Sequence, residues 1–136
     1  MAGYSGTPLA RKLGVTDDTT IVAIGAPKNY GALLAPLPAG ARISSRGAKA
    51  PRFVHMFTTA RADLAQRLRR LRGTLAQDGV VWVSWPKRAA KIETDVSEDT
   101  IRAVALPLGF VDVKVCAVDD TWSALKLVIR RELRTL

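Results

Sequence analysis

The stretch Val80-Val81-Trp82-Val83-Ser84-Trp85-Pro86-Lys87 limits what this chain can fold into more than any other. Its β-branched and aromatic side chains occupy both parities, so it lacks the apolar–polar alternation of a half-exposed strand. Entered at Asp78-Gly79 and stopped at a proline, it reads as a strand buried on both faces. Helices must then cover both sides. The expected fold is α/β: an open, mainly parallel sheet flanked by helices, with this strand near its middle.

Around that strand the rest of the chain falls into place. Thr7-Pro8 offers a helix start, with Leu9 and Leu13 on one face and Gly14 as a left-handed stop. Thr19 to Ile24 is a first strand, followed by the turn Gly25-Ala26-Pro27-Lys28 and a short helix around Tyr30 to Leu34. A short second strand is expected near Ala41 to Ser44, then a small, polar, basic loop from Ser45 to Arg52. Phe53 to Phe57 is the third strand. Leu64, Leu68, Leu71 and Leu75 repeat at the spacing of one helical face, which predicts a long helix from about Ala60 to Gln77. Its other faces carry Arg61, Arg67, Arg69, Arg70 and Arg72. After a polar loop from Arg88 to Asp95, Ser97 opens a helix that buries Ile101, Val104 and Ala105. Val111 to Val118 and Trp122 to Arg131 close the chain as an antiparallel hairpin around Asp119-Asp120-Thr121.

Length and composition narrow the classes. A chain of 136 residues is expected to make one domain with a genuine core. No apolar run approaches the ~20 residues that cross a bilayer, and the start lacks a signal-peptide core, so a cytoplasmic location without membrane attachment is expected. One cysteine, Cys116, and one histidine, His55, leave no disulfide scaffold and no cysteine-based metal site. Lys plus Arg outnumber Asp plus Glu by 21 to 12, and the resulting +9 favours an anionic small molecule, an anionic surface or nucleic acid as partner.

The order of strands and helices, closed by an antiparallel hairpin, resembles a class I S-adenosylmethionine-dependent methyltransferase fold. It is a shortened version, lacking one helix–strand unit after the second strand. Gly6-Thr7-Pro8-Leu9, Trp82 to Lys87, Val111 to Val118 and Thr121-Trp122-Ser123-Ala124-Leu125-Lys126 also resemble a family of short actinobacterial-type, hence bacterial, proteins catalogued as a domain of unknown function. The methyltransferase resemblance implies a Gly-x-Gly-x-Gly turn after the first strand and an acid ending the second. Here the turn is Gly25-Ala26-Pro27-Lys28-Asn29-Tyr30-Gly31, and Pro27 removes a backbone donor. Ser44-Ser45-Arg46 stands where the acid belongs. Both departures weaken cofactor binding, and no cofactor is predicted. A nicotinamide enzyme meets the same objection, and no Gly-x-x-x-x-Gly-Lys-Ser/Thr loop occurs.

Ligands of open α/β sheets bind beyond the strand carboxyl ends. That places Gly25 to Lys28, Thr58-Thr59, Trp85 to Arg88 and Asp119 to Trp122 on one rim, with Tyr4-Ser5-Gly6 positioned to fold over them. The candidate ligand residues are Gly25, Lys28, Trp85, Lys87, Arg88, Asp119 and Trp122. If Trp85 and Trp122 project at the same rim they offer flat surfaces for a ring; the plainer reading makes both core residues. Asp119 and Asp120 read as turn formers, or as a general-base pair. Lys28 is an exposed lysine, or neutralises a phosphate. His55 reads as a buried, hydrogen-bonded histidine and Cys116 as an inert buried thiol. Lys114 and Lys126 fall opposite each other, with Asp112 as an internal partner or with both blunting a sheet edge. The leading expectation is a non-catalytic domain binding an anionic small ligand or a protein partner at the rim. The alternatives are a divergent methyltransferase and a nucleic-acid-associated protein using Arg61, Arg67, Arg70 and the 42–52 loop.

Overall fold

A computed structural model describes residues 6–47 and 49–135. One apolar run after another forms a strand: β1 is Thr20–Ile24, β2 Arg42–Ser44, β3 Phe53–Phe57, β4 Val80–Pro86, β5 Phe110–Ala117 and β6 Trp122–Ile129. The helices are α1 Leu9–Lys12, α2 Tyr30–Leu34, α3 Arg61–Thr74 and α4 Glu98–Ala105. The strands form one sheet in the order β2-β1-β3-β4-β6-β5, with β4 interior. Strands β2, β1, β3 and β4 pair in parallel; β6 inserts antiparallel between β4 and β5. The mainly parallel α/β sheet expected from the sequence, with its closing hairpin, is the fold observed.

The two-sided burial of β3 and β4 divides the core in two. Val54, Met56, Val81 and Val83 face α3 and α4, where they meet Leu64, Leu68, Leu71 and Ile101. Phe53, Phe57 and Trp82 face the opposite layer, with Leu13 just after α1 and Tyr30 and Leu34 from α2. Each buried leucine of α3 contributes ~1.5–3 kcal/mol. That repeated term fixes the helix on the sheet although its N-cap, Ala60, has no capping side chain. A more distant group substitutes: the Asp95 carboxylate accepts from the Arg61 backbone N–H at 2.6 Å.

Several boundaries and partners differ from expectation for local reasons. Pro8 is the N-cap of α1 and no side chain caps it, so the Thr7 hydroxyl does not serve there. Helix α3 ends at Thr74 rather than Gln77, because Leu75 turns into the core and the Ala76 N–H goes to the Pro51 carbonyl at 2.9 Å. The loop after Lys87 holds a 3-10 turn over Arg88–Ala90. Lys114 does face Lys126, but an irregularity between Asp112 and Lys114 shifts the register. Asp112 therefore meets Arg102, at 3.0 Å, and not Lys114, which reaches the Lys12 carbonyl. Lys126 lies on β6, an interior strand, so it blunts no edge. Cys116 is half-buried rather than fully buried; burial still raises its pKa, against the opposing charges of Lys12 and Lys114.

Polar groups trapped in the interior are paired with one another. The Trp82 indole N–H donates to the Leu13 carbonyl at 2.9 Å. His55, completely buried, has Nδ1 at 2.7 Å from the Tyr30 hydroxyl and Nε2 at 2.7 Å from Ser84 Oγ. The ring stacks on Phe57 with centroids 4.4 Å apart. This is the hydrogen-bonded core histidine the sequence suggested. Burial disfavours imidazolium and pushes its pKa down to about 3. The folded chain thus binds a proton less readily than the unfolded chain, where histidine titrates near ~6.5. Stability from this group is complete above that pH and is lost as pH falls toward 3. Between pH 7 and 4.5 the unfolding free energy of the native sequence should fall by about 2–3 kcal/mol more than that of His55→Gln. Equal falls in urea titrations of the two proteins contradict a neutral, buried His55.

Candidate functional site

A parallel connection needs roughly a dozen residues or more, and usually a helix, to cover the face it crosses. The connection from β2 to β3 is only residues 45–52 and holds no helix. On the α3 face, the sheet around β1 and β2 consequently lacks a covering helix among the described residues. There the chain forms a groove of about 730 Å³, between α3 on one side and the 45–52 segment on the other. Val22, Ile24, Val54 and Leu71 make its apolar floor. Gly25, Ser45, Asp63, Gln66, Arg67 and Arg70 supply the polar walls. Strand β1 has β2 on one side and β3 on the other, and the chain goes from β1 out to β2 and then back across β1 to β3. The groove runs along the α3 face of this crossing, from Gly25 and Ser45 just past the ends of β1 and β2 to Pro51 before β3 and Thr74 at the end of α3. One of its ends therefore reaches the switch point where open α/β sheets hold ligands.

The charges in the groove are ordered from within. Thr58, almost fully buried at the end of β3, donates its hydroxyl to Asp63 Oδ2 at 2.8 Å. The other oxygen of Asp63 accepts from Arg67 Nε, also at 2.8 Å. One carboxylate is thus held by a hydroxyl below and a guanidinium above. Arg70, one helical turn on, is exposed and has no carboxylate partner among the described residues. The net charge presented is positive.

Gly25 is in the groove, with a positive φ of 66°. A Cβ there would sit 2.8 Å from the Phe57 carbonyl oxygen, so the residue is required by the close approach of β1 to β3. Of the residues singled out from the sequence, the groove gathers Gly25, Arg67, Arg70 and, from the 42–52 loop, Ser45, Gly47 and Pro51, and not the others. Arg61 starts α3, with its backbone N–H on Asp95. Lys28 is exposed beyond Gly25. Lys87 lies where β4 is tied to the hairpin tip, its N–H donating to the Thr121 carbonyl at 2.7 Å, and Arg88 follows it, exposed. Asp119 Oδ1 accepts from the backbone N–H groups of Thr121 and Trp122, the turn-forming role. Tyr4 and Ser5 lie outside the described residues.

The two tryptophans do not share a pocket. Trp85 packs with the α3–α4 layer, whereas Trp122 packs with the opposite layer, edge-on to Phe57 at 5.1 Å. Register explains it: Pro86, not Trp85, is opposite Trp122, and adjacent strand positions point to opposite faces. The lining residues that the sequence reading missed, Asp63 and Gln66, carried no motif, and Ser45 entered that reading as part of the 42–52 loop. The i, i+4 spacing of Asp63 and Arg67 on a helix was the one available signal. Among the described residues no cluster of His, Cys, Asp and Glu able to hold a metal ion occurs, and no helix is long and apolar enough to cross a membrane.

Comparison with solved structures places the fold. The chain is similar to a S-adenosylmethionine-dependent methyltransferase from Aquifex aeolicus, at 10% identity and TM-score 0.61, over 93% of this chain and 90% of that one. It is similar to Aeropyrum pernix fibrillarin, solved with natively bound S-adenosylmethionine, at 13% identity and TM-score 0.60, over 93% and 70%. A third likeness is to LepI in complex with SAH and a substrate analogue, at 10% identity and TM-score 0.59. This chain covers 91% of itself in that match but only 47% of LepI, about half its length. No protein-family model and no curated protein matches the chain. The fold is methyltransferase-like.

The residues present do not fit the cofactor of that fold. The Cβ position of Gly25 is closed off by the Phe57 carbonyl, and Pro27 leaves the turn after it short of a backbone donor. Ser44, at the end of β2, uses its hydroxyl on the backbone of Arg46, as both donor and acceptor at 3.2 Å. Asp63, the carboxylate lining the groove, has both oxygens engaged. No acid stands at the end of β2, where that fold places one for the ribose. The local geometry makes a sharp expectation: Gly25→Ala should lower stability by ~1–3 kcal/mol through strain at a positive φ and contact with Phe57. Gly73→Ala, in α3 with open space around it, should raise stability by ~0.5–1 kcal/mol. Denaturant midpoints that move together in the same direction contradict this reading of Gly25.

Proposed function

We propose that this chain is a methyltransferase-like domain that binds a small anionic ligand in the groove between β1, β2 and α3, without transferring a methyl group. One observation carries the reading: Arg67 and Arg70 meet Gly25 and Ser45 in a single groove that reaches the switch point, and the groove's carboxylate is already neutralised. A volume of about 730 Å³ is in the range of small-molecule sites. The apolar floor suits the body of a ligand and Arg70 its anionic group.

The absence of chemistry in this reading rests on where the reactive groups are. His55 is sealed in the opposite layer with both ring nitrogens engaged. Cys116 lies on β5, at the far edge of the sheet. Lys28, Trp85, Lys87, Arg88, Asp119 and Trp122 remain proposed contacts only for a ligand or protein partner extending over the rim beyond the groove. The proposal also takes the chain to work as one cytoplasmic domain of the short actinobacterial-type family it resembles.

Isothermal titration with pyrophosphate as probe tests the reading. Arg70→Ala should weaken binding about tenfold, the loss of one charge-assisted hydrogen-bonding group. Asp63→Asn should strengthen it, by releasing the Arg67 charge. S-adenosylmethionine should give no binding heat. Pyrophosphate binding indifferent to Arg70→Ala, or S-adenosylmethionine binding with methyl transfer to an acceptor, contradicts the proposal.

A further inference from the structure

The groove is not closed at its outer end. It shares Val22 and Gly47 with a second depression of about 400 Å³, lined by Thr20, Arg42, Ile43, Ser44 and Arg46. The recess therefore runs on from α3, across β1 from its carboxyl end toward Thr20, to the free edge of β2. A third depression, of about 440 Å³, branches off through Thr20, Val22 and Pro51. Its charged residues are Asp17, Asp18 and Arg52, and Arg52 is taken by Asp78 at 2.8 Å. That branch is not basic. The path from groove to β2 edge is.

We propose that this path is a track for the phosphate backbone of a single-stranded nucleic acid, with the groove as its deep end. The inference rests on the groove being the anion site and names the partner that would use all of it. Arg67 and Arg70 stand at one end and Arg42 and Arg46 at the other. Arg42, Arg46 and Arg70 have no carboxylate partner among the described residues, and Arg42 Nε is steadied by Thr20 Oγ1 at 3.2 Å. A compact anion seated in the groove leaves Arg42 and Arg46 unused, whereas a repeating phosphate engages both depressions. The arginine heads are exposed along the border of a recess rather than on a flat face, which suits a flexible strand laid in it. No aromatic side chain lines either depression, so bases are not stacked there and binding is indifferent to sequence.

Fluorescence anisotropy of the full chain with a labelled oligothymidylate tests this, with pyrophosphate titrated in parallel. Three to four phosphate contacts on a single strand give a log–log salt slope of about −2 to −3. Arg42→Glu combined with Arg46→Glu should lower oligothymidylate affinity at least tenfold while circular dichroism shows the fold retained. If pyrophosphate binds and oligothymidylate does not, the track is excluded and the groove reading survives. If neither binds, both fail. Oligothymidylate binding unaltered by the double substitution, tighter binding of a duplex of the same length, or a preference for inorganic polyphosphate over oligothymidylate also overturns the track.

Discussion

Burial of the central strands on both faces is the constraint on which the rest of this structure depends. A strand such as β4, covered on both sides, has no solvent face on which to put a polar group, so every side chain must be apolar or internally paired. Val81 and Val83 meet the first requirement on the α3 side. On the other side Trp82 and Ser84 meet the second, through the Leu13 carbonyl and His55. The Tyr30–His55–Ser84 chain is therefore a structural clamp across α2, β3 and β4. It fixes the position of β3, whose Phe57 carbonyl in turn requires Gly25 to lack a side chain.

The same constraint makes the groove. A parallel sheet must be covered, and α3 and α4 cover β3, β4, β6 and β5 on one face. The connection from β2 to β3 is too short to carry a further helix, so the apolar floor around Val22 and Ile24 is left to be roofed by polar side chains from α3. Helix α3 thus has two duties: its leucines hold the sheet, and Asp63, Gln66, Arg67 and Arg70 border the recess. Thr58 and Asp63 spend one carboxylate on one guanidinium, and Arg70 is what remains. The likeness to methyltransferases at about a tenth identity extends to the scaffold. The turn after β1 and the end of β2 do not follow it.

Most of the fold was legible because each strand announces itself by burial pattern and each helix by leucine spacing. Phe53–Phe57 and Tyr30–Leu34 appear with the expected bounds, and the last strand inserts as expected. What escaped was parity and partnership. Whether Trp85 and Trp122 share a face depends on a one-residue register between β4 and β6, which no local pattern encodes. The irregularity after Asp112 sends its carboxylate to Arg102 for the same reason. The groove was half legible: Gly25 was read as one candidate, Arg67 and Arg70 as another, and only the fold puts them together. The shortened connection was visible, but that it uncovers a basic recess follows from where α3 lies.

The central claim is that a methyltransferase-like scaffold presents an anion site where its nucleoside site is expected. A crystal structure of the chain soaked with both pyrophosphate and S-adenosylhomocysteine tests it most directly. The anion should lie against Arg70, between α3 and the 45–52 segment, with no adenosine bound. Density for adenosine behind Gly25, at the ends of β1 and β2, contradicts it.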